Sequence, residues 1–267
     1  MKPAEFLHTH LLFTRQEFER AMGRSGPRAP ATITKHLQTW RRDGRLLAVR
    51  RGVYVRLAPG QKPADAGVDA LALASRLAPD AALAYHTALE AHGHAQSAFE
   101  RLFFATWTKA RPLRFRDREY VPVRPRAALR RSKNEWVVGL ARAGMEVRVT
   151  SLERTVVDIL DRPDLSGGME EVWRSLASVE ALDFTELTQY AEIIARPLLT
   201  ARLGYVLEAN AQRWLTPARL LAALEVKRPR GPVYLEQRQP GRLVRRWNLI
   251  VPPDMSPSEE APDGNGP

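Results

Sequence analysis

The 267-residue sequence contains no cysteine. Disulfides, thiol catalysis, iron–sulfur clusters and cysteine-bound zinc are therefore excluded. No run of residues approaches the ~20 apolar positions that a membrane-spanning helix needs, and residues 1–5 (MKPAE) open no apolar signal region. These absences lead us to expect a soluble, cytoplasmic protein that has no membrane partner.

The sequence also lacks the loops that mark several enzyme classes. Neither a Walker-type nor a dinucleotide-binding glycine loop occurs, and there is no Gly-x-Ser-x-Gly elbow. Asp158, Glu225 and Lys227 imitate the acidic-plus-lysine pattern of some metal-dependent nucleases. In those enzymes the Glu and Lys lie on a strand, whereas here they end a helix-like run. We therefore expect no enzyme activity and no cofactor, and we keep a nuclease as an alternative.

Four histidine and glutamate positions have the look of a metal site. His86 and Glu90 share one face of a predicted helix, with His92 and His94 nearby. Zinc needs three or four ligands that converge in space, and the spacing does not match the HExxH pattern. We interpret these residues as packing or capping groups and predict no metal.

Acidic residues are outnumbered by basic ones, and the excess is concentrated in separate segments. The chain has 41 Lys and Arg against 30 Asp and Glu, a net charge of +11. Residues 14–57 carry +8 and residues 100–135 carry +7, whereas residues 151–212 carry −6. Such a balance favours an anionic partner, nucleic acid first. The second basic segment either extends a DNA footprint or is a solvated strand edge.

Residues 13–57 give the clearest structural signal. Thr14 with Glu17 forms a capping-box pattern, and Phe13 with Phe18 occupies the positions of a hydrophobic staple. A second helix is predicted from Thr32, with Ile33, Leu37 and Trp40 as its apolar stripe. Two β-rich runs joined at Arg51-Gly52 then predict a hairpin. Helix, helix and basic hairpin is the order of a winged helix-turn-helix.

This pattern gives a domain plan and an α+β fold class. We predict a winged helix-turn-helix over residues 1–60, a larger mixed domain of strands and then a helical, bundle-like part over 64–251, and a disordered tail over 252–267. A first helix is expected over residues 3–12, with Leu11 and Leu12 on its buried side. Residues 233–236 and 246–251 are expected to pair as a closing hairpin.

Short motifs spread over residues 5–251 resemble one known family. They are 44–46 (GRL), 50–54 (RRGVY), 88–93 (ALEAHG), 150–158 (TSLERTVVD), 202–208 (RLGYVLE) and 246–249 (RWNL). In order and spacing the chain resembles the AbiEi-type antitoxins. That resemblance implies a type IV toxin–antitoxin system, in which a winged helix represses the protein's own operon. It also implies a C-terminal domain that opposes a nucleotidyltransferase-like toxin.

The predicted mechanism assigns a role to each part of the winged helix. The exposed face of the second helix would read the major groove, and Gln38 or one arginine would contact base edges. The hairpin tip would reach the backbone or minor groove, and Thr32 would meet a phosphate at the start of the helix. The candidate DNA-binding residues are Thr32, Thr34, Lys35, Gln38, Arg41, Arg42, Arg50 and Arg51.

The expected partner is double-stranded DNA, namely the chain's own promoter with inverted repeats. No heptad repeat is present to form a dimer, so we expect a monomer in solution, with two copies on an inverted repeat. A protein-interaction module with no DNA role stays open as a further alternative, since winged helices also bind proteins.

Overall fold

The structure is a computed structural model that describes residues 1–23, 29–236 and 239–255. Helices and β-sheets both occur in quantity, and this confirms the predicted α+β class. Within the described residues, no helix is both long enough and apolar enough to cross a membrane.

Packing divides the chain into two compact units. The first comprises residues 1–83, 100–124 and 139–149, and the second comprises 84–99, 125–138 and the residues from 150 onward. The predicted domains stay a prediction, because packing in the folded chain does not show whether residues 1–60 fold alone.

The first unit begins with the elements of a winged helix. Its helices and strands are α1 (Pro3–Thr9), β1 (Leu12–Thr14), α2 (Arg15–Ala21), α3 (Ala29–Arg42), β2 (Leu46–Arg50) and β3 (Val53–Arg56). The strands form an antiparallel sheet in the order β1-β3-β2. This is the predicted helix, helix, hairpin order, with one additional strand at the sheet edge.

Local signals set the start of α2 as predicted. The Thr14 hydroxyl accepts a hydrogen bond from the Glu17 amide at 3.1 Å, and the Glu17 carboxylate accepts one from the Thr14 amide. The predicted staple is also present, since Phe13 and Phe18 are fully buried with ring centroids 6.3 Å apart. Phe6 lies 5.0 Å from both rings and Trp40 5.2 Å from Phe18, so aromatic packing joins α1, α2 and α3.

The predicted first helix is wrong at its C-terminal end. Helix α1 stops at Thr9, Leu11 is 42% exposed, and Leu12 lies in β1 opposite Val55. The apolar spacing of residues 3–12 suits a helix. However, pairing with β3 provides hydrogen-bond partners for the backbone of β1, and this tertiary contact overrides the local pattern.

A six-stranded mixed sheet forms the rest of the first unit, together with α4 (Ala70–Ala74) and a short 3-10 helix over Pro63–Asp65. Its order is β6-β7-β5-β4-β9-β8. Strands β4 and β9 are parallel, as are β5 and β7, while β6 and β7 form an antiparallel pair. The strands are β4 (Ala82–Leu83), β5 (Arg101–Ala105), β6 (Leu113–Phe115), β7 (Arg118–Val123), β8 (Val137–Arg142) and β9 (Met145–Thr150).

The second unit is mainly helical, as predicted. Ser151 and Asp183 cap α6 and α8 through their side chains, and Pro197 begins α9. The predicted cap at Thr216 is wrong: α11 starts after Pro217, and the Thr216 hydroxyl instead donates to Leu207 O. The helices are α5 (His86–His92), α6 (Leu152–Asp161), α7 (Met169–Leu176), α8 (Phe184–Ile194), α9 (Pro197–Ala209), α10 (Ala211–Trp214) and α11 (Ala218–Val226).

The predicted closing hairpin is also wrong. Strand β10 (Val233–Tyr234) runs parallel to β12 (Leu249–Val251), and β11 (Arg242–Val244) is the antiparallel neighbour. The apolar pattern finds strands but does not fix their direction. Of the predicted tail, Pro253–Met255 is a 3-10 helix with Met255 buried, and residues 256–267 lie outside the described residues.

Candidate nucleic-acid interface

Helix α3 separates an apolar face from a basic one. Ile33, Leu37 and Trp40 are at most 5% exposed, as the sequence predicts. The opposite face contains no acidic residue between residues 29 and 42. Its exposed side chains at the predicted positions are Lys35, Gln38, Arg41 and Arg42. These four side chains are therefore available to an approaching ligand.

Two threonines on α3 lie deeper than the basic residues. Thr32 and Thr34 are half-buried, and both take part in interactions within the chain. Helix α3 starts at Ala29 rather than at Thr32, because a proline is tolerated in a first helical turn. Thr32 is therefore the fourth residue of the helix, not the first, and the predicted phosphate contact at the helix start does not fall on it. The predicted loop over residues 24–30 lies outside the described residues up to residue 28.

The hairpin tip is basic and sharply turned. Gly52 has a φ of +85°, the left-handed region that glycine adopts without strain. Arg51 is exposed, whereas Arg50 is half-buried and its Nη1 atom has no hydrogen-bond partner. The register of β2 against β3 shifts between Ala48 and Arg50. Strands β2 and β3 with this tip are called the wing below.

Backbone hydrogen bonds hold the wing against the helices. The Arg45 amide donates to Trp40 O at 2.8 Å, and the Leu57 amide donates to Arg45 O at 2.9 Å. On the other side of the wing, the Arg56 guanidinium donates to His8 O. The wing and α3 are thus built into one framework, so their basic side chains keep a fixed spacing.

The other basic segments are largely neutralised by ion pairs. In residues 100–135, Arg101 pairs with Glu119 at 2.9 Å, and Arg126 pairs with Asp161 at 2.7 Å. The segment 227–246 behaves in the same way: Lys227 pairs with Glu192, and Arg246 pairs with Glu225 and Glu208. These pairs do not rule out contacts with an anion, but α3 and the wing tip are less compensated.

The histidines of the suspected metal site have separate structural partners. His86 is buried and stacks on Phe99 with ring centroids 3.8 Å apart, and burial lowers its pKa. His92 contacts Thr150 O at 2.7 Å, and His94 contacts Ser178 Oγ at 3.1 Å. Among the described residues, no group of three or more His, Asp or Glu side chains is placed to hold a metal.

The residues of the nuclease alternative are each held by a partner within the protein. Asp158 is buried, 3.3 Å from Arg154 Nε, and accepts a 2.7 Å hydrogen bond from Tyr190. Burial raises the pKa of its carboxyl group, and the Arg154 guanidinium acts against that rise. With Glu225 and Lys227 paired elsewhere, these residues do not form a ligand set.

Several motifs that carry the family resemblance are structural. The buried Arg202 guanidinium donates to Leu235 O and Leu160 O, and Trp247 Nε1 donates to Glu208 at 2.6 Å. The Trp247 ring packs so closely over Gly204 that any Cβ there would clash with it. These residues therefore define a core, and they carry no direct information about a ligand.

Comparison with known proteins supports the fold alone. No family model matches the chain, and no curated protein matches it. Among solved structures, the chain is similar to the crystal structure of the RV2827C protein from Mycobacterium tuberculosis, with 16% sequence identity and a TM-score of 0.57. The match covers 93% of this chain and 89% of that one. The two chains share a fold over nearly their whole lengths.

Proposed function

We propose that this protein is a cytoplasmic DNA-binding repressor that occupies its own promoter through α3 and the wing. One observation carries the proposal: a winged-helix framework exposes Lys35, Gln38, Arg41 and Arg42 on a helix face that lacks any carboxylate. Arginine and lysine supply phosphate contacts, and an exposed glutamine or arginine can read base edges in the major groove.

The dimensions of the helix face suit this role. From Lys35 to Arg42 the helix rises about 10 Å at 1.5 Å per residue. That length matches about three base pairs at 3.4 Å each. The wing tip, with Arg51 exposed, supplies a second contact on the backbone or minor groove. A monomer would thus cover one half-site, and two copies would cover an inverted repeat.

The experiment that tests this proposal is a fluorescence-anisotropy titration of the full chain with the duplex upstream of its own gene. A scrambled duplex of equal length is the control, and both are measured at several salt concentrations. We expect the upstream duplex to bind roughly 10³-fold tighter or more at ~0.15 M salt, with affinity falling steeply as salt rises. Equal binding to both duplexes would overturn the proposal and favour a protein partner for the winged helix.

The antitoxin part of the proposal rests on the resemblance to AbiEi-type antitoxins. In that role the chain would protect cells from a nucleotidyltransferase-like toxin encoded beside it, and the second unit is the candidate for this activity. The test is growth rescue of cells that express the neighbouring gene, with the wild-type chain and with Arg41→Ala/Arg42→Ala. Rescue by both chains would support an antitoxin activity separate from DNA binding. No rescue by the wild-type chain would remove the antitoxin part and leave the repressor proposal standing.

A further inference from the structure

A basic cleft lies within the first unit, beside the wing. It has a volume of about 1030 Å³ and is lined by the start of α2, the wing tip and residues 75–79, 108–110, 146 and 148. We call it the wing cleft. Its residues come from separate segments of the chain, so no sequence motif points to it.

The wing cleft has a strong excess of positive charge. On the side of α2 and the wing it is lined by Arg15, Arg20, Arg50 and Arg51. On the opposite side it is lined by Arg76, Lys109 and Arg148, and the only carboxylates among the lining residues are Glu17 and Glu146. Part of the charge is compensated, since Arg15 pairs with Glu19 at 2.7 Å and Arg76 with Glu17 at 3.3 Å. The remaining cations repel one another, and an anion in the cleft would relieve that repulsion.

Two guanidinium atoms in the cleft lack hydrogen bonds although they are buried. They are Arg50 Nη1 and Arg76 Nε. The Arg76 side chain is only 11% exposed, and its Nη1 atom is held by Ala72 O and Ser75 Oγ, both at 3.2 Å. A buried donor on a charged group is costly when it has no acceptor. Two such donors in one basic cleft therefore indicate a missing anionic acceptor.

The size and depth of the cleft select the kind of anion. Its volume lies at the upper end of the range of small-molecule sites. A DNA duplex presents its phosphates on a wide convex surface and cannot bring one to a side chain as buried as Arg76. Several arginines around one space match linked phosphates, which accept paired N–H donors from each guanidinium. Tyr54, Leu77 and Pro79 add an apolar wall, which suits a sugar or a base.

We propose that the wing cleft binds a small ligand with a chain of linked phosphates, either a nucleoside triphosphate or an inorganic polyphosphate. The ligand also regulates DNA binding, a part that rests on the proposed function. Arg50 and Arg51 line the cleft and are also the predicted DNA contacts of the wing tip. A ligand that engages them competes with DNA, and by linkage DNA weakens the ligand to the same extent.

The first experiment measures ligand binding without DNA. Isothermal titration calorimetry of the full chain uses ATP, inorganic tripolyphosphate and adenosine at matched ionic strength. We expect both phosphate chains to bind and adenosine not to bind. Tighter binding of ATP would assign the apolar wall to a nucleoside, and equal binding would assign the site to polyphosphate. Absence of binding by both phosphate chains at millimolar concentration would overturn the proposal.

Variants locate the binding site. Arg20→Ala/Lys109→Ala removes two exposed cations from the rim of the cleft, and we expect it to weaken binding roughly fivefold or more. Arg219→Ala/Arg230→Ala removes the same charge from exposed positions in the second unit and should leave binding unchanged. Equal weakening by the two double variants would mean that binding reflects net charge alone, which would overturn the site.

The second experiment measures competition by anisotropy with a labelled upstream duplex. We expect tripolyphosphate to raise the apparent Kd of the wild-type chain for DNA beyond the effect of sulfate at equal ionic strength. Ligand binding without competition would overturn the regulatory part only. Ligand binding with no specific DNA binding would overturn the proposed function and leave the cleft assignment in place.

Discussion

The backbone amide of Arg15 donates a 2.8 Å hydrogen bond to the carbonyl oxygen of Gly52. This bond joins the first residue of α2 to the tip of the wing. Helix α2 in turn packs against α3 through Phe18 and Trp40. The orientation of the wing is therefore coupled to that of α3, and a change at either residue should alter both stability and DNA binding.

Replacing Gly52 should destabilise the wing through its backbone conformation. A Cβ at Gly52 would meet no atom within 4 Å, but its φ of +85° is unfavourable for any side chain. We expect Gly52→Ala to lower the free energy of unfolding by about 1–2 kcal/mol, measured by urea denaturation. Gly67→Ala is the matched control, because Gly67 also faces open space but has no positive φ. If both variants were equally stable, the tip would not be conformationally strained.

Removing the cap of α2 should have a similar effect. The Thr14 hydroxyl accepts the Glu17 amide in the first turn of the helix. Thr14→Ala leaves that amide without its partner and should cost about 1 kcal/mol of stability. In Thr188→Ala the same hydroxyl is lost from the interior of α8, where it only donates to a helix carbonyl. The control should change stability by less than about 0.5 kcal/mol.

Thr14 and Gly52 show which parts of this fold the sequence predicts. A cap and a tight glycine turn are read from neighbouring residues, and so is the apolar stripe of Ile33, Leu37 and Trp40, because each depends on local spacing. The structure confirms these three features, and with them the exposed basic face of α3.

Features that depend on distant residues could not be predicted in this way. Strand β4 has only two residues and is defined by its neighbours β5 and β9. The parallel pairing of β10 with β12 is set by tertiary packing, not by the alternation of residues. The wing cleft is the extreme case, since Arg76, Lys109 and Arg148 belong to no common pattern and only folding brings them together.

The buried pair of Arg154 and Asp158 should contribute to stability. Both side chains are at most 8% exposed, and Asp158 also accepts a hydrogen bond from Tyr190. Asp158→Asn leaves the Arg154 charge buried without its counter-ion, so we expect a loss of about 3–5 kcal/mol in chemical denaturation. Asp43→Asn breaks an exposed pair with Arg42 and should cost at most about 1 kcal/mol. A stable Asp158→Asn protein would reopen a functional role for this carboxylate.

His86 should make the stability of the protein depend on pH. Burial lowers its pKa below the ordinary value of 6.5, so the folded state holds it neutral. The unfolded state binds the proton more readily, and protonation therefore favours unfolding. The free energy of unfolding should fall as pH drops below about 6.5.

The measurement is urea denaturation between pH 8 and 5 of the wild-type chain and of His86→Gln, which does not titrate. The variant should be less stable overall, because it loses the stacking on Phe99. Its pH dependence around 6.5 should nevertheless be shallower than that of the wild type. Parallel pH profiles would contradict the assignment of this effect to His86.

The most direct test of the central claim, that the basic face of α3 binds DNA, is the affinity of Arg41→Ala/Arg42→Ala for the upstream duplex. Both residues are exposed, so circular dichroism should show an unchanged fold. We predict at least a tenfold loss of affinity at ~0.15 M salt and a salt dependence shallower by up to two ion contacts. Arg219→Ala/Arg230→Ala, with the same net charge, should bind like the wild type. Retained binding by the α3 variant, or an equal loss in both variants, would contradict the assignment of α3 as the DNA-reading helix.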